Sequence, residues 1–502
     1  MSQPPLIRAL LDPTRSPFGT AAVGLMETHA SWVLLAGDWA YKIKKPITLP
    51  FLDYGSLEKR RACCEAELRL NRRYAPELYQ DVVPIAGSAE APVPGGCGPA
   101  IEYAVRMRRF PESQRLDHLA RRGELTDVHI SALAAEIAAF HGAAAAAPAA
   151  SRFGEPELVL AEALENFEEL ERLMPAAPDR LRLAALADWT RAEFRHRKAA
   201  FAARKESGCV RECHGDLHLG NLVLLGERVV PFDCIEFNDD FRWIDVASEL
   251  AFTLVDLLDH GQGGLACWLL SEWLAVGGDF DALAVLRFYA VYRALVRAKV
   301  AAIRAAQEEG SAAAADLDDA RGYLTLAERL CRPPPASLTI THGVSGSGKS
   351  RASKRRLLAD TACTTVRLRS DVERKRLFGF GAAARSGSPV NGGIYTPAAN
   401  TATYRRLEDL AQGALHGGWS VVVDAAFLKR SERDDFRRLA ANNDLPFAIL
   451  ACTAPVEELR RRVAARRGDP SEATPEVLEK QLGWIEPLAP EEQAFAVSPA
   501  AA

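Results

Sequence analysis

The sequence of 502 residues lacks the long apolar runs that membrane-spanning helices need. Such a helix requires about 18 or more apolar residues in succession, and no run of that length occurs. The N-terminal stretch MSQPPLIRALLDPTRSPFG carries charges and prolines where a secretory signal has its apolar centre. We therefore expect a cytoplasmic protein with no membrane partner.

Cysteine motifs of metal or redox sites are also missing. The ten cysteines are scattered without a C-x-x-C pair, and no group of Cys and His residues has the spacing of a zinc site. We expect reduced and mostly buried thiols. Internal repeats with a period of about 20–50 residues are absent too.

A strong charge of one sign is lacking, since the net charge is −4. From Ala336 onward there are 24 Lys and Arg residues against 19 Asp and Glu, while the rest of the chain has 38 against 47. A mildly basic C-terminal part suits polyanionic substrates such as nucleotides. It is too weak to indicate a nucleic-acid partner, and no aromatic platform for stacking bases is evident.

Two domains are predicted, at 1–332 and 336–502, because CRPPPASLTITHG joins three prolines to an apolar strand. The first part begins with two β-runs in SWVLLAGDWAYKIKKP and turns helical after Leu57. It also contains a long amphipathic helix pattern over 280–307. The second part alternates strand and helix, which predicts an α/β fold with a parallel sheet.

The clearest motif is THGVSGSGKS, which has the form G-x-x-x-x-G-K-[ST] and follows an apolar strand. Its glycines let consecutive backbone N–H groups converge on phosphate oxygens at a helix N-terminus. Lys349 would reach the β- and γ-phosphates of ATP, and the Ser350 hydroxyl would bind Mg²⁺. The residues predicted to bind ATP here are Gly343, Ser345, Gly346, Ser347, Gly348, Lys349 and Ser350.

Two later β-runs lead into carboxylates. Asp371 follows TTVRLRS, where a carboxylate would face the ligand crevice and accept a proton from a substrate hydroxyl. The alternative for Asp371 is a helix N-cap. Arg374 lies one helical turn further and could face the same site. Asp424 ends GGWSVVVD, which is the place for a carboxylate that orders Mg²⁺ or its waters.

The segment VEELRRRVAARRGDP places five arginines on one predicted helix. Arg462 and Arg466 are i, i+4 neighbours on it, and a solvated charged face is the simplest explanation. Together with SDVERKRLFG and VVVDAAFLKRSERDDFRRLA, this segment resembles the P-loop kinase group of polynucleotide 5′-kinases, zeta-toxin-like kinases and small-molecule phosphotransferases. The resemblance implies a base-plus-arginine pair, Asp371 and Arg374, and an arginine-bearing lid with Arg462 and Arg466.

A second motif lies far upstream. CHGDLHLGN has the form H-x-D-x-x-x-x-N, and VVPFDCIEFN then supplies Asp233 at the end of a β-run. These residues resemble the catalytic loop of aminoglycoside phosphotransferases and other kinase-like small-molecule kinases. The resemblance implies a bilobal, α+β protein-kinase-like fold. It also implies that Asp216 orients and deprotonates the acceptor hydroxyl, while Asn221 and Asp233 bind Mg²⁺.

The same resemblance requires a lysine and a carboxylate that hold ATP. WAYKIKKP offers Lys42 and Lys44, which project from one strand face, and the resemblance favours Lys42. Glu65 and Glu67 on the next helix compete as its partner, and Glu67 is preferred. One departure stands out, because the first hairpin, METHASWVLL, has no glycine in its turn, whereas the family usually has a glycine-rich turn there.

Three arginines, Arg293, Arg297 and Arg304, lie close to one stripe of the long helix. They could be paired with Asp245, Glu249 or another acidic residue, since buried arginine is costly alone. The alternative is an anionic acceptor pocket.

The order of the two parts resembles bacterial fusions of an aminoglycoside phosphotransferase-like domain with a P-loop kinase. That resemblance implies two sites for ATP and Mg²⁺ and small-molecule hydroxyl acceptors. Two alternatives stay open: a non-catalytic ligand-sensing first domain, or a second domain that phosphorylates nucleic-acid ends.

Overall fold

The computed structural model describes residues 3–13, 17–18, 22–49, 51–382, 384–388, 392–465 and 472–498. None of the helices in these ranges combines the length and the apolar character that crossing a membrane requires.

The first part of the chain is built around a six-stranded antiparallel sheet with the order β1–β2–β3–β8–β6–β7. One face buries alternate apolar residues such as Leu34 and Ile43, which lie in one core with Ile7 and Leu10 of the N-terminal helix. The elements are α1 (Pro5–Leu11), β1 (Val23–Glu27), β2 (Ser31–Ala36), β3 (Trp39–Lys44), β4 (Thr48–Leu49), β5 (Leu52–Asp53), α2 (Leu57–Asn71), β6 (Tyr79–Gly87), β7 (Pro92–Pro94), β8 (Glu102–Arg108) and α3 (Leu116–Arg121).

The three strands after α2 correct the expectation that the chain turns helical after Leu57. Pro84 obscured β6, because proline is rare inside strands. The structure accommodates Pro84 because β7 is short and pairs only with Ile85–Gly87 of β6. The sheet is therefore larger than the sequence pattern indicated.

The middle of the chain is mainly helical. It also contains two small antiparallel pairs, β9 with β12 and β10 with β11. The helix expected over 280–307 begins as a 3₁₀ turn at Phe280–Ala284 and continues as α9. The elements are α4 (Asp127–Ala143), α5 (Pro156–Leu173), α6 (Ala177–Glu206), β9 (Val210–Glu212), β10 (Leu222–Leu225), β11 (Arg228–Pro231), β12 (Trp243–Asp245), α7 (Val246–Asp259), α8 (Gly263–Gly277), α9 (Leu286–Gln307) and α10 (Gly310–Cys331).

The last part contains a five-stranded sheet with the order β14–β15–β13–β16–β17, and all its pairs are parallel. The predicted parallel sheet is thus confirmed, and the carboxyl ends of its strands share one edge. The elements are β13 (Leu338–His342), α11 (Lys349–Leu358), β14 (Thr365–Arg369), α12 (Ser370–Leu377), α13 (Pro397–His416), β15 (Ser420–Asp424), α14 (Arg430–Asn442), β16 (Phe447–Ala451), α15 (Val456–Ala465), α16 (Pro475–Trp484) and β17 (Ala496–Val497).

The described residues group into two compact units. The first unit is drawn from Met1–Leu125, Ala143–Phe153 and Gly208–Glu249, and the second from Thr126–Gly142, Gly154–Ser207 and Leu250–Ala502. Most of the helical segment before Cys331 therefore lies in the same unit as the parallel sheet. The division into domains at 1–332 and 336–502 stays a prediction.

Candidate active sites

Two lysines of β3 lie on one face of the first sheet and both reach Glu67 of α2. Lys42 Nζ donates to Glu67 Oε1 at 2.9 Å, and Lys44 Nζ donates to Glu67 Oε2 at 2.7 Å. Lys42 also forms an ion pair with Asp233. Burial lowers the pKa of Lys42, but the charges of Asp233 and Glu67 outweigh it and hold the pKa well above its usual value. Lys42 is therefore a charged group between two carboxylates.

Lys44 has a second set of partners that the sequence did not reveal. Its ammonium is fully buried and pairs with Glu236, and it lies 3.3 Å from the hydroxyl of Tyr54, which itself bonds Glu236. Burial lowers the pKa of Lys44, whereas the charges of Glu236 and Glu67 raise it well above normal. Glu236 is thus held by Lys44 and Tyr54. The signal that could have shown this was the two-residue spacing of the lysines.

Glu65, the alternative partner, lies on the opposite side of α2. Its carboxylate accepts from Arg61 at 2.9 Å, and both side chains are exposed. Two residues along a helix rotate the side chain by about 200°. The structure therefore brings Glu67 to the lysines and leaves Glu65 at the surface.

The upstream catalytic loop is fixed by its own hydrogen bonds. The Asn221 Nδ2 group donates to the Asp216 backbone oxygen at 2.9 Å and to Asp216 Oδ2 at 3.1 Å. His214 Nε2 lies 2.9 Å from the carbonyl oxygen of Phe232, so the ring N–H donates to it. The backbone N–H groups of His214 and Gly215 both donate to Glu249 Oε2. The loop therefore holds Asp216 and Asn221 together.

Asp233 occupies a left-handed backbone conformation with a φ of 65°. Its N–H donates to the Tyr79 hydroxyl at 3.0 Å, and the next N–H, of Cys234, donates to Asn71 Oδ1 at 2.9 Å. This conformation is uncommon for a residue with a side chain, though aspartate tolerates it better than most. These contacts hold the Asp233 carboxylate against Lys42 of the sheet. Asp245 instead caps α7 by accepting from the N–H of Ala247 at 2.8 Å.

The glycine-free turn of the first hairpin is closed by a threonine. Thr28 Oγ1 accepts from the N–H of Ser31 at 2.9 Å, and the Thr28 hydroxyl lies 3.1 Å from the Ser31 carbonyl oxygen. A side chain therefore shapes this turn in place of glycine.

The arginine stripe of α9 makes several contacts within the second unit. Arg297 lies 3.5 Å from Asp256 Oδ1, and Arg304 pairs with Asp316 at 3.2 Å. Arg293 stacks its guanidinium 5.0 Å from the ring centroid of Phe252. These contacts favour the structural explanation of the stripe.

In the second unit, the loop between β13 and α11 has the conformation that its glycines allow. Gly343 has a φ of 144°. It also lies so close to the backbone after β16 that an added Cβ would be 2.3 Å from the Cys452 carbonyl oxygen. Gly346 and Gly348 also have positive φ values, of 81° and 96°. Glycine is required here because other residues resist these angles.

Groups of this loop are held both by the loop itself and by a helix from later in the chain. Lys349 Nζ donates to the Val344 carbonyl oxygen at 2.8 Å, and the Ser345 N–H donates to Gln481 Oε1 of α16 at 2.7 Å. Ser347 Oγ is buried and has no hydrogen-bond partner in the part of the chain that the structure describes. An unpaired buried hydroxyl is unfavourable, so a ligand oxygen would suit it.

Asp424 ends β15, next to β13, so it lies at the carboxyl edge beside the loop. The hydroxyl of Ser353 contacts Asp424, with its Oγ 3.0 Å from Asp424 Oδ2. The same Oγ lies 3.1 Å from the Ser350 carbonyl oxygen. Sequence reasoning placed Ser350 at the metal and missed Ser353. The i, i+3 spacing on α11 was the available signal.

Asp371 and Arg374 both lie in α12. The N-cap residue of this helix is Arg369, so Asp371 lies in the first turn and does not cap it. Arg374 is buried and donates to Ile394 O at 3.3 Å and to Asn400 Oδ1 at 3.0 Å. Its guanidinium is 5.4 Å from the ring centroid of Tyr395.

Tyr395 lies near both Asp371 and Arg374, and its ionisation depends on their charges. Burial raises the pKa of Tyr395, and the charges of Asp371 and Glu472 raise it further. Tyr395 therefore contacts Arg374 and lies within range of the Asp371 charge.

Arg462 of α15 contacts the phosphate loop. Its Nη1 donates to the Gly346 carbonyl oxygen at 3.2 Å, and its Nε donates to Glu458 Oε1 at 2.7 Å. Hydrogen bonds from Arg461 and Arg462 lower the pKa of Glu458 to about 2. Val344 of the loop shares an apolar cluster with α15 and α16. Arg466 lies outside the described residues.

Comparisons with known proteins cover both parts. A family model described as an AAA domain matches residues 338–488. The uncharacterized protein Rv2004c of Mycobacterium tuberculosis (strain H37Rv) is 30% identical over 464 residues, which make up 92% of this chain and 89% of that protein. This likeness extends over both units.

Solved structures of kinases also match. A choline/ethanolamine kinase family protein from Mesorhizobium loti matches over 71% of this chain and 97% of its own, with 14% identity and a TM-score of 0.40. A sugar kinase from Janibacter sp. HTCC2649 matches over 33% of this chain and 84% of its own, with 24% identity and a TM-score of 0.25. The expected α+β first part and α/β P-loop second part are confirmed by the sheets described above and by the AAA-domain match.

Proposed function

The chain belongs to the family of Rv2004c, with which it shares both of its parts, and we propose that it is an ATP-dependent phosphotransferase with two nucleotide sites. Each site would transfer the γ-phosphoryl group of ATP to a hydroxyl of a small-molecule acceptor. The observation that carries the proposal is the pairing of Lys42 with both Glu67 and Asp233, beside a loop in which Asn221 holds Asp216.

In the upstream site, Lys42 would bind phosphate oxygens, because its ammonium is charged and held in place by Glu67. Asp216 would accept the proton of the acceptor hydroxyl as that oxygen bonds to the γ-phosphorus and the bond to the leaving ADP oxygen breaks. Asn221 orients Asp216 Oδ2 for this step. His218 Nε2, 3.5 Å from the same oxygen, adds a second orienting contact.

The residues at both sites fit Mg²⁺, which prefers oxygen ligands. Asn221 points its NH₂ group at Asp216, which leaves its amide oxygen for a cation, and the Asp233 side chain is 44% exposed. Ser350 and Asp424 would hold the ion downstream. When bound, Mg²⁺ neutralises charge on the phosphate oxygens.

In the downstream site, the backbone of Gly343–Gly348 would bind the phosphates, together with the unpaired hydroxyl of Ser347. Lys349 would exchange the Val344 carbonyl oxygen for phosphate oxygens. Asp371 would accept the acceptor proton, and Arg374 and Arg462 would stabilise negative charge in the transition state.

Measuring ATP turnover across a panel of small hydroxyl compounds tests the proposal. Asp216→Asn should lower one set of rates by about 10²–10⁴-fold, and Lys349→Ala should abolish a different set. The double variant should lose both sets.

Other outcomes would favour the alternatives. If Asp216→Asn changes no rate with any acceptor, the first part is a ligand-sensing module and the two-enzyme proposal is wrong. Labelling of polynucleotide ends that depends on Asp371 would replace the small-molecule acceptor of the downstream site with nucleic acid.

A further inference from the structure

Helix α8, which precedes the P-loop in the chain, packs directly on strand β14 and helix α11 within the second unit. A Cβ at Gly264 would lie 2.0 Å from the Leu358 carbonyl oxygen, so the start of α8 touches the end of α11. Cys267 Sγ is 2.8 Å from the Thr365 carbonyl oxygen, and the Arg367 N–H donates to Ser271 Oγ at 3.2 Å. Strand β14 and helix α11 are therefore packed against a helix that lies outside residues 338–488, the range that the AAA-domain model matches.

The same helix supplies the carboxylate partner of a buried arginine. Arg367 Nη2 donates to Glu272 Oε1 of α8 at 2.7 Å, and its guanidinium lies 4.6 Å from the ring centroid of Trp268. Burial lowers the pKa of Arg367 and Arg369 lowers it further, while Asp424 and Glu272 raise it. Because a guanidinium stays charged in proteins, its burial requires anionic partners.

Arg367 is also linked to Asp424, the carboxylate predicted to bind the metal. Its Nη1 lies 3.5 Å from Ser353 Oγ, and that hydroxyl is 3.0 Å from Asp424 Oδ2. Glu272, Arg367, Ser353 and Asp424 thus form a continuous polar chain from α8 to the carboxyl edge of the parallel sheet. Glu272 contacts the guanidinium of Arg367 directly, whereas Asp424 is linked to it through Ser353.

We propose that Glu272 and Arg367 are positioning residues that set the affinity of the downstream site for Mg²⁺. Glu272 neutralises Arg367, so Asp424 remains available to the ion. Without that neutralisation, the guanidinium would compete with Mg²⁺ for the Asp424 carboxylate. This inference rests on the proposed function, namely Mg²⁺-dependent ATP binding at the P-loop.

The test is a Mg²⁺ titration of the binding of a fluorescent ATP analogue to the full chain. The signal that Lys349→Ala removes defines the downstream site. Glu272→Gln should raise the Mg²⁺ concentration at half-saturation, on the order of five-fold. Glu272→Gln combined with Arg367→Met should restore the wild-type midpoint, because it removes both charges.

Asp127→Asn is the matched control. Asp127 forms an ion pair with Lys354 of α11, so it also links the helical segment to the P-loop helix, but that pair has no contact with Asp424 among those described. The control should leave the Mg²⁺ midpoint unchanged.

Equal shifts in Glu272→Gln and Asp127→Asn would overturn the inference and leave the proposed function intact. If Glu272→Gln alone does not fold, the double variant decides, since a raised Mg²⁺ midpoint in it contradicts the neutralisation argument. Absence of Mg²⁺-dependent nucleotide binding in the unmodified chain would overturn both.

Discussion

The two candidate sites of this chain hold charge in different ways. Upstream, Lys42 and Lys44 are enclosed by the carboxylates of Glu67, Asp233 and Glu236, so side chains form the site. Downstream, the conformations of three glycines shape the loop, and Lys349 donates to the Val344 carbonyl oxygen. The upstream site should therefore be sensitive to changes in charge, and the downstream site to added volume.

The largest effect should come from Gly343→Ala. Its Cβ would lie 2.3 Å from the Cys452 carbonyl oxygen and its φ of 144° disfavours any side chain. We expect loss of downstream ATP-analogue binding by about 100-fold or more, equivalent to about 3 kcal/mol. Titrating the analogue against the full chain measures this.

Gly413→Ala provides the control for that experiment. Gly413 lies in α13 with no atom within 4 Å of an added Cβ, so the change should leave nucleotide binding unaltered. If Gly343→Ala binds nucleotide as well as Gly413→Ala does, the backbone does not form the downstream site as described.

An effect of comparable size, on stability instead of binding, should come from Lys44→Met. This change leaves Glu67 and Glu236 without the buried cation between them, and removing one member of a buried pair costs about 3–5 kcal/mol. The urea midpoint of the first unit should fall accordingly. Lys59→Met, which removes an exposed ion pair with Asp53, should leave the midpoint almost unchanged, because water screens that pair. Equal midpoints in the two variants would contradict the buried network.

Motifs defined by local geometry could be recognised in the sequence. The loop from Gly343 to Ser350 and the run from His214 to Asn221 each depend on neighbouring residues, so spacing alone located them. The parallel sheet followed from the alternation of strands and helices in the same way.

Long-range pairings could not be recognised. Glu272 meets Arg367, and Lys44 meets Glu236, only because the fold joins elements separated by many residues. The sequence shows each charged residue, but it does not indicate which oppositely charged residue lies next to it in the fold. The role of Ser353 was hidden for the same reason, since Asp424 arrives from another strand.

A smaller effect should appear in the pH dependence of stability. Burial lowers the pKa of His214, and the charges of Glu249 and Asp216 only partly oppose this. Below the unfolded histidine pKa of about 6.5, the unfolded chain binds a proton that the native one excludes. Stability is therefore present above that pH and is lost as pH falls toward the folded pKa.

Urea midpoints measured from pH 7.5 down to 5.5, roughly one unit either side of the histidine pKa, should fall less in His214→Gln than in the unmodified chain. Burial also lowers the pKa of His342 beside the downstream loop, so only the difference between the two proteins belongs to the upstream site. His196→Gln, at an exposed position of α6, should follow the unmodified chain. A His214→Gln profile parallel to that of the unmodified chain would be inconsistent with a buried neutral ring.

The smallest effect should come from Glu65→Gln, at the glutamate that the sequence ranked behind Glu67. Glu65→Gln removes an exposed i, i+4 ion pair with Arg61, which contributes little to stability because water screens it. Glu67→Gln removes the charge that both lysines share. It should lower the urea midpoint severalfold more than Glu65→Gln does, and it should also lower upstream turnover. Because the two positions differ by only two residues on α2, the contrast tests the orientation of the helix itself. Comparable losses in the two variants would place α2 in a different rotation and remove the basis for Lys42 as the nucleotide lysine.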